Sequence, residues 1–461
     1  MCFVSFVVKI QYSKRMIRPI LLTTIALGII VWAFAISLRS DESGVPMGRE
    51  RVVFWHFWGG ADRVVVRDVV HRFNESQERY WVEEVPVPGQ NLDMKFFIAL
   101  AGGDFPDVLN QDDQIIAQWA HRGVLTPLRE LTAGDDEYAE LVDWLNPAAR
   151  QIGSFRGELF ALCNAIDIRA MFYRNDALGN DDAPRTISQL DSIAKRSSGD
   201  DSRIPFLPDN RRLWAWGILF GGDFYDEQSG RVTANHPRIV KALTWMVSYT
   251  RHHGLEKTRA FRSTNREAGA GSPLLADRYG LMMDGQWRVA ELDEARETAL
   301  KLGDKPIEYG VVPLPAVDQG RRNAGWANGN FFVVPRGCKN PHGAWEFMKF
   351  WSGFGGNEAE AADTAASGGW IPASRAVVEQ AAFQDYLEKH PNFRLFVRLA
   401  DSPNQVPTPA VPVQAYFYER VNLAAEEALS LSKTPQQALD DATRDVQARL
   451  NAVLAAEPVA E

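Results

Sequence analysis

Fourteen tryptophans are spread through this 461-residue chain, and five of them stand at the ends of apolar runs or beside glycine turns: Trp58, Trp216, Trp287, Trp326 and Trp370. A tryptophan so placed offers a flat apolar face on which a ring-shaped ligand can stack. Three have a polar neighbour suited to hydroxyl groups: Asp284 near Trp287, Asn328 near Trp326, and Arg375 after Trp370. Gln90 and Asp112 fall beyond the C-terminal ends of predicted strands, as Trp58 does, and add planar donors and acceptors. This set matches a ligand with apolar C–H faces and a rim of hydroxyls, held where water is excluded. Each tryptophan also has the plainer reading of a core side chain, and Asp112 that of an Asx-turn residue. Trp119, Trp245, Trp345 and Trp351 lie within helical patterns and are assigned to the core. Trp287 and Trp326, beside glycine in turns, are the preferred ligand candidates.

The carboxylates permit a second chemistry. A glycosidase needs two of them about 5–10 Å apart, one with a raised pKa, and Asp112, Asp113, Asp167 and Asp284 are available. Against that, the chain has no GxSxG elbow, no P-loop and no GxGxxG after a strand. Eight scattered histidines make no HExxH, and Cys2, Cys163 and Cys338 make neither a disulfide framework nor a CxxC zinc pattern. No metal and no cofactor is expected. A net charge of −9 without long basic runs argues against a nucleic-acid surface.

The elements that would position these groups alternate. Arg51–Trp58 reads as a strand, Val66, Val69, Val70 and Phe73 as a helix face, and Tyr80–Val87 as a strand. A helix with Leu92 and Phe96, a strand over Pro106–Leu109 and a helix with Ile115 and Trp119 follow. This alternation predicts a parallel α/β sheet, with ligands beyond the strand C-termini. Leu159–Leu178 is a strand, a polar break and a second strand with no hairpin turn between them, and it reads as a chain leaving one sheet for another. Beyond it, Thr186 and Thr434 open capping boxes and Asn235 reads as an N-cap. Strands are expected over Gly280–Asp284, Tyr309–Pro315 and Asn330–Val334, and a helix after Asn340-Pro341.

Pro19–Leu38 is uncharged and about 20 residues long, enough to cross a bilayer. Lys9, Lys14, Arg15 and Arg18 precede it, so residues 1–18 are expected inside and the rest of the chain outside. The segment is read as a transmembrane or signal-anchor helix, with Ala33-Phe34-Ala35 as a cleavage alternative and Met16 as a second possible start. Residues 39–50 form a polar linker.

Several short patterns then occur in a familiar order. They are Phe54-Trp-His-Phe-Trp-Gly-Gly60, Gly102-Gly-Asp-Phe-Pro-Asp-Val108, Gly123-Val-Leu-Thr-Pro-Leu128, Met171-Phe-Tyr-Arg-Asn-Asp176, Met283-Asp-Gly-Gln-Trp287, Val312-Pro-Leu-Pro315, the Val333–Trp351 strand-to-helix unit and Gly369-Trp-Ile-Pro-Ala373. In these the chain resembles the maltose-binding-like extracellular solute-binding proteins of carbohydrate ABC importers, from about Arg51 to Leu454. The resemblance implies a two-lobed α/β fold of the periplasmic-binding-protein type (type II), with a sugar or oligosaccharide in the interlobe cleft and an ABC permease as partner. It implies lobe 1 over 51–162 and 308–365 and lobe 2 over 163–307 and 366–461, a periplasmic or extracytoplasmic location, and no catalysis. Four departures stand out: no lipobox cysteine follows the apolar segment, Ile187 replaces a tryptophan, Leu162-Cys163-Asn164 replaces a proline-tyrosine, and an uncleaved anchor would tether a receptor that in the family diffuses or hangs from a lipid. A receptor for another solute (an anion, a peptide or a polyol) is the alternative, ahead of an anchored glycosidase.

Overall fold

The strand Ala161–Asp167 ends in one sheet and the strand Arg169–Arg174 opens in another, with Ile168 alone between them. The computed structural model describes residues 44–87, 89, 92–196, 203–267 and 272–456. The expected leader over 1–18, the helix over 19–38 and the start of the linker lie outside them. No helix among the described residues is long and apolar enough to cross a membrane.

The main strands are β1 (Glu50–His56), β2 (Tyr80–Pro86), β3 (Val108–Asp112), β4 (Ala161–Asp167) and β5 (Arg169–Arg174). Further along come β6 (Leu281–Gly285), β7 (Tyr309–Val312), β8 (Gly325–Trp326), β9 (Asn328–Val333) and β10 (Gln405–Val406). The first sheet has the order β2-β1-β3-β9-β4. Its β1 pairs in parallel with β2 and β3, as α/β alternation predicts, whereas β9 runs antiparallel to both β3 and β4. The second sheet, β6-β5-β7, is antiparallel throughout, so the expectation of a parallel sheet does not extend to it.

Local signals place the helices well. Both capping boxes form, at Thr186 with Gln189 and at Thr434 with Gln437. Asn340 accepts from the Gly343 N–H, with Pro341 in the first helical turn. The cap expected at Asn235 moves one residue on, because Pro237 takes the first turn and His236 accepts from the Arg238 N–H. Asn235 instead donates to Asp440 at 2.7 Å.

Two apolar cores follow the two sheets. The first gathers Phe54, Phe332, Phe347 and Trp351; the second gathers Trp214, Trp216, Tyr249 and Leu439. Sheet membership is a separate observation from the expected lobe limits. Cys163–Asp167 pair in the first sheet and Tyr309–Val312 in the second, and the chain returns to the first sheet at Asn328. Trp370, Ile371, Phe383, Phe393 and Phe396 pack into the first core, and the chain rejoins the second unit at β10, which pairs with β8. A strand's sheet is chosen by hydrogen-bond partners distant in sequence, which local periodicity does not report.

Candidate functional site

Register brings four polar residues to one edge of the first sheet. Asn330 lies opposite Asp112 and Asn328 opposite Asp167, so β3 and β4 end where β9 begins. On the second sheet, β5 begins at Arg169, paired with Gly285, and Asp284 pairs with Ala170. The two edges therefore meet at Ile168. Gln286, fully buried, clamps the junction: it accepts from the Ile168 N–H at 3.2 Å and donates to the Ile166 carbonyl at 3.0 Å and to Asp167 Oδ1 at 2.8 Å.

Five of the expected ligand residues converge here. Asp112 is exposed and accepts from Asn330 Nδ2 at 2.8 Å. Asn328 is buried and donates to Asp167 Oδ2 at 3.4 Å. Asp284 takes Arg288 Nε at 2.8 Å and Arg212 at 3.4 Å. Trp287, half-buried, opens the helix after β6, and its ring lies where a Cβ on Gly285 would be, which explains the glycine. Trp326 is buried, donates to Thr408 Oγ1 at 3.2 Å and stacks on Tyr418 at 5.7 Å.

Three others go elsewhere, Trp216 is buried in the wall of a cavity that Asp284 also lines, and Gln90 lies outside the described residues. Trp58 and Trp370, expected at ligand-facing loop ends, are buried beside Trp351 in three mutually near-parallel rings with centroids 5.4–5.9 Å apart. Trp216 is fully buried in the helix Leu213–Leu219, against Trp245. Arg375 is exposed at the start of a short helix and pairs with Glu379 at 3.5 Å.

Arg169 is the site residue that sequence reading missed. It is 4% exposed, with its guanidinium 4.6 Å from the centre of the Trp287 ring and 5.6 Å from that of Trp326. A basic residue inside the apolar run Ala165–Phe172 was the signal available. Burial, then the charge of Arg212, pushes Arg169 down to about 10, so it stays charged at neutral pH. Its Nε and Nη1 have no hydrogen-bond partner, nor do Asn328 Oδ1 and Asp113 Oδ2. Buried polar atoms are almost always paired, so this concentration of unpaired donors and acceptors marks a place built to receive hydrogen bonds.

Burial pushes Asp167 up. Burial would also raise Asp284, but Arg212 and Arg288 outweigh it and hold that carboxyl below its ordinary value. Asp112 keeps solvent access but stands in a dense protein surround at the strand ends, and that partial desolvation, then the charges of Asp167 and Asp93, push it up to about 7. The folded chain thus binds a proton at Asp112 more tightly than the unfolded chain does. That linkage lowers stability as pH rises from about 4 to about 7, with the full penalty above. Asp112→Asn keeps the acceptor for Asn330 and should melt above the parent at pH 8. The gap should close near pH 4, where both side chains are neutral; thermal scans at the two pH values check this, and an equal gap at both would refute it.

The model of the family "Bacterial extracellular solute-binding protein" matches residues 80–357. A maltooligosaccharide ABC transporter solute-binding lipoprotein of Streptococcus pneumoniae serotype 4 is 24% identical over 270 residues, 54% of this chain and 56% of that protein. The chain thus spans about half the length of that relative. A maltodextrin-binding protein of Bacillus subtilis is 21% identical over 403 residues, 82% of this chain and 83% of that protein. Among solved structures, the mannotriose-bound protein CpMnBP1 is similar with a TM-score of 0.70 at 22% identity, covering 86% of this chain and 99% of that one. The GacH receptor of Streptomyces glaucescens, solved without ligand and with acarbose, gives 0.70 at 20% identity over 88% and 99%. With the family model matched across more than half its length, the chain belongs to the bacterial extracellular solute-binding proteins.

Proposed function

We propose that this protein is the extracytoplasmic receptor of an ABC importer, that it binds a sugar or oligosaccharide where the two sheet edges meet, and that it hands the ligand to a permease. The observation that carries the reading is the junction at Ile168. There Trp287 supplies a half-open aromatic face, and Asp112, Asn328 and Arg169 supply hydrogen-bonding groups from both lobes. A ligand touching both edges binds the closed arrangement better than an open one, and that difference alone drives hinge closure. Ile168 and the crossing between Trp326 and Asn328 are the hinge positions in this reading. The related transporter proteins support binding without turnover. The segment over 19–38 serves as tether or leader, on the outward side of which the receptor works.

The test is a solute panel. Purified protein is titrated with neutral and acidic oligosaccharides, polyols, peptides and inorganic anions, followed by tryptophan fluorescence and thermal shift. A saccharide at 100 times its Kd should add about 2.7 kcal/mol of stability. Silence across every saccharide, with a saturable response to another solute, would overturn the carbohydrate assignment.

A further inference from the structure

The second lobe carries a cavity of about 430 Å³ next to the junction, and its wall is rich in arginine. Arg211, Arg212, Arg262 and Arg288 line it, against two aspartates, Asp209 and Asp284. Both aspartates are already engaged, and Arg288 also pairs with Glu291 at 2.6 Å. Asp209 pairs with Arg211 at 3.3 Å, and Asp284 is shared between Arg212 and Arg288. Arg169 does not itself line the cavity; it lies opposite Gly285, one position along β6 from Asp284, and near enough to Arg212 for that charge to lower its pKa.

Arg169 adds a charge that makes no direct ion pair among the described residues, with Asp167 and Asp284 acting on it only through space. The nearest candidate in sequence, Asp167, has one oxygen taken by Gln286 and the other by Asn328. A buried guanidinium without a carboxylate partner is costly, and removing the partner of a buried pair is strongly destabilising for the same reason. The faces of Trp287 and Trp326 repay only a fraction, since cation–π contacts are each weaker than an ion pair with good geometry. A neutral hydroxyl would satisfy one N–H and leave the charge uncompensated. A planar carboxylate matches the guanidinium fork and supplies the missing charge.

The opposite wall is acidic, with Asp112, Asp113 and Asp167 at the first-sheet edge. Desolvation raises the pKa of all three. They are suited to ring hydroxyls, and the arginine wall to an acid group. The two sides of the junction thus differ in kind.

We propose that the ligand is an acidic saccharide, one bearing a carboxylate on a sugar ring, seated with that carboxylate against Arg169 and the Arg212 side of the cavity. The inference rests on the receptor reading above and narrows its substrate class. It is tested with matched pairs: oligouronates and their carboxyl-reduced neutral counterparts, on several backbones and linkages, titrated into the purified protein. The acidic member of at least one pair should bind at least tenfold more tightly in low salt, and its advantage should shrink as ionic strength rises. Arg169→Gln should bring the acid-to-neutral ratio to within about twofold of unity. Without ligand, that variant should melt no lower than the parent, because an unpaired buried charge is gone; a merely structural arginine would give a lower melting temperature.

Neutral members binding as tightly as their acidic partners would overturn the proposal while leaving the receptor reading intact. That comparison uses the parent protein alone, so it decides the matter even if the variant does not fold. If Arg169→Gln folds and keeps the parent's acid preference, the proposal also fails. No binding of any saccharide, with a response to another solute class, would bring down both the proposal and the receptor reading.

Discussion

Trp351→Ala should destabilise the first lobe by about 3–5 kcal/mol, the range for deleting a large buried aromatic side chain. Trp351 is 2% exposed and lies near-parallel to Trp58 at 5.5 Å and to Trp370 at 5.9 Å. Its edges meet Phe54, Phe332 and Phe347, which join β1, β9 and the helix Pro341–Ser352. Truncation would leave a cavity among side chains from three distant parts of the chain, and few neighbours could collapse into it without breaking other ring contacts. Equilibrium denaturation by urea, read on the transition of the first lobe, measures the loss. A cost below about 1 kcal/mol would mean that the site relaxes freely and that the ring cluster is not a keystone of this core. Ligand affinity of the folded fraction should change little, because these rings are closed off from the junction.

Trp287→Ala should do the reverse. It should weaken binding of the solute selected by the panel by about 30- to 100-fold, in keeping with a central aromatic contributing 2 kcal/mol or more. Trp287 is only half-buried, at the first position of its helix, so its removal should affect folding far less than loss of Trp351. The change also takes one aromatic face from Arg169 and lets that guanidinium move. Fluorescence is compromised by removing the reporter, so calorimetric titration is the measurement to use. A loss of less than threefold would show that Trp287 serves Arg169 and not the ligand.

These two variants separate tryptophans that look alike in sequence. Trp58 precedes Gly59-Gly60, Trp287 follows Gly285-Gln286 and Trp370 follows Gly368-Gly369. All three sit beside glycine, where a strand or helix is ending or beginning. Trp58 and Trp370 are nevertheless drawn into the first core, because they stack on one another and both on Trp351, nearly 300 positions beyond Trp58. Burying three large rings against one another removes far more apolar surface from water than leaving two of them in a cleft. Trp287 escapes that fate because the group stacked on it is a guanidinium.

Arg169 illustrates the opposite failure. A lone basic residue inside an apolar run reads locally as a side chain on the solvent face of a strand. Here the residue sits one position past a sheet crossing, where both faces are covered, by Trp287 and Trp326. Gln286 was likewise visible only as a turn residue. Its role as a clamp depends on β4 and β6 reaching the same point, and no local pattern encodes that meeting.

What the sequence determined by itself was short-range. The crossing within Leu159–Leu178 was legible because two apolar runs flank a polar break with no turn residues, and both capping boxes were legible because donor and acceptor lie three residues apart. Family membership was legible too, carried by motifs that keep their order along the chain. Tertiary structure alone decided which strands share a sheet, which tryptophans remain at the junction and which charge is left without a direct partner. The physical reason is the same in each case. Sheet pairing, ring packing and charge compensation are settled between residues tens to hundreds of positions apart, and their energies depend on three-dimensional neighbours that periodicity and spacing do not contain.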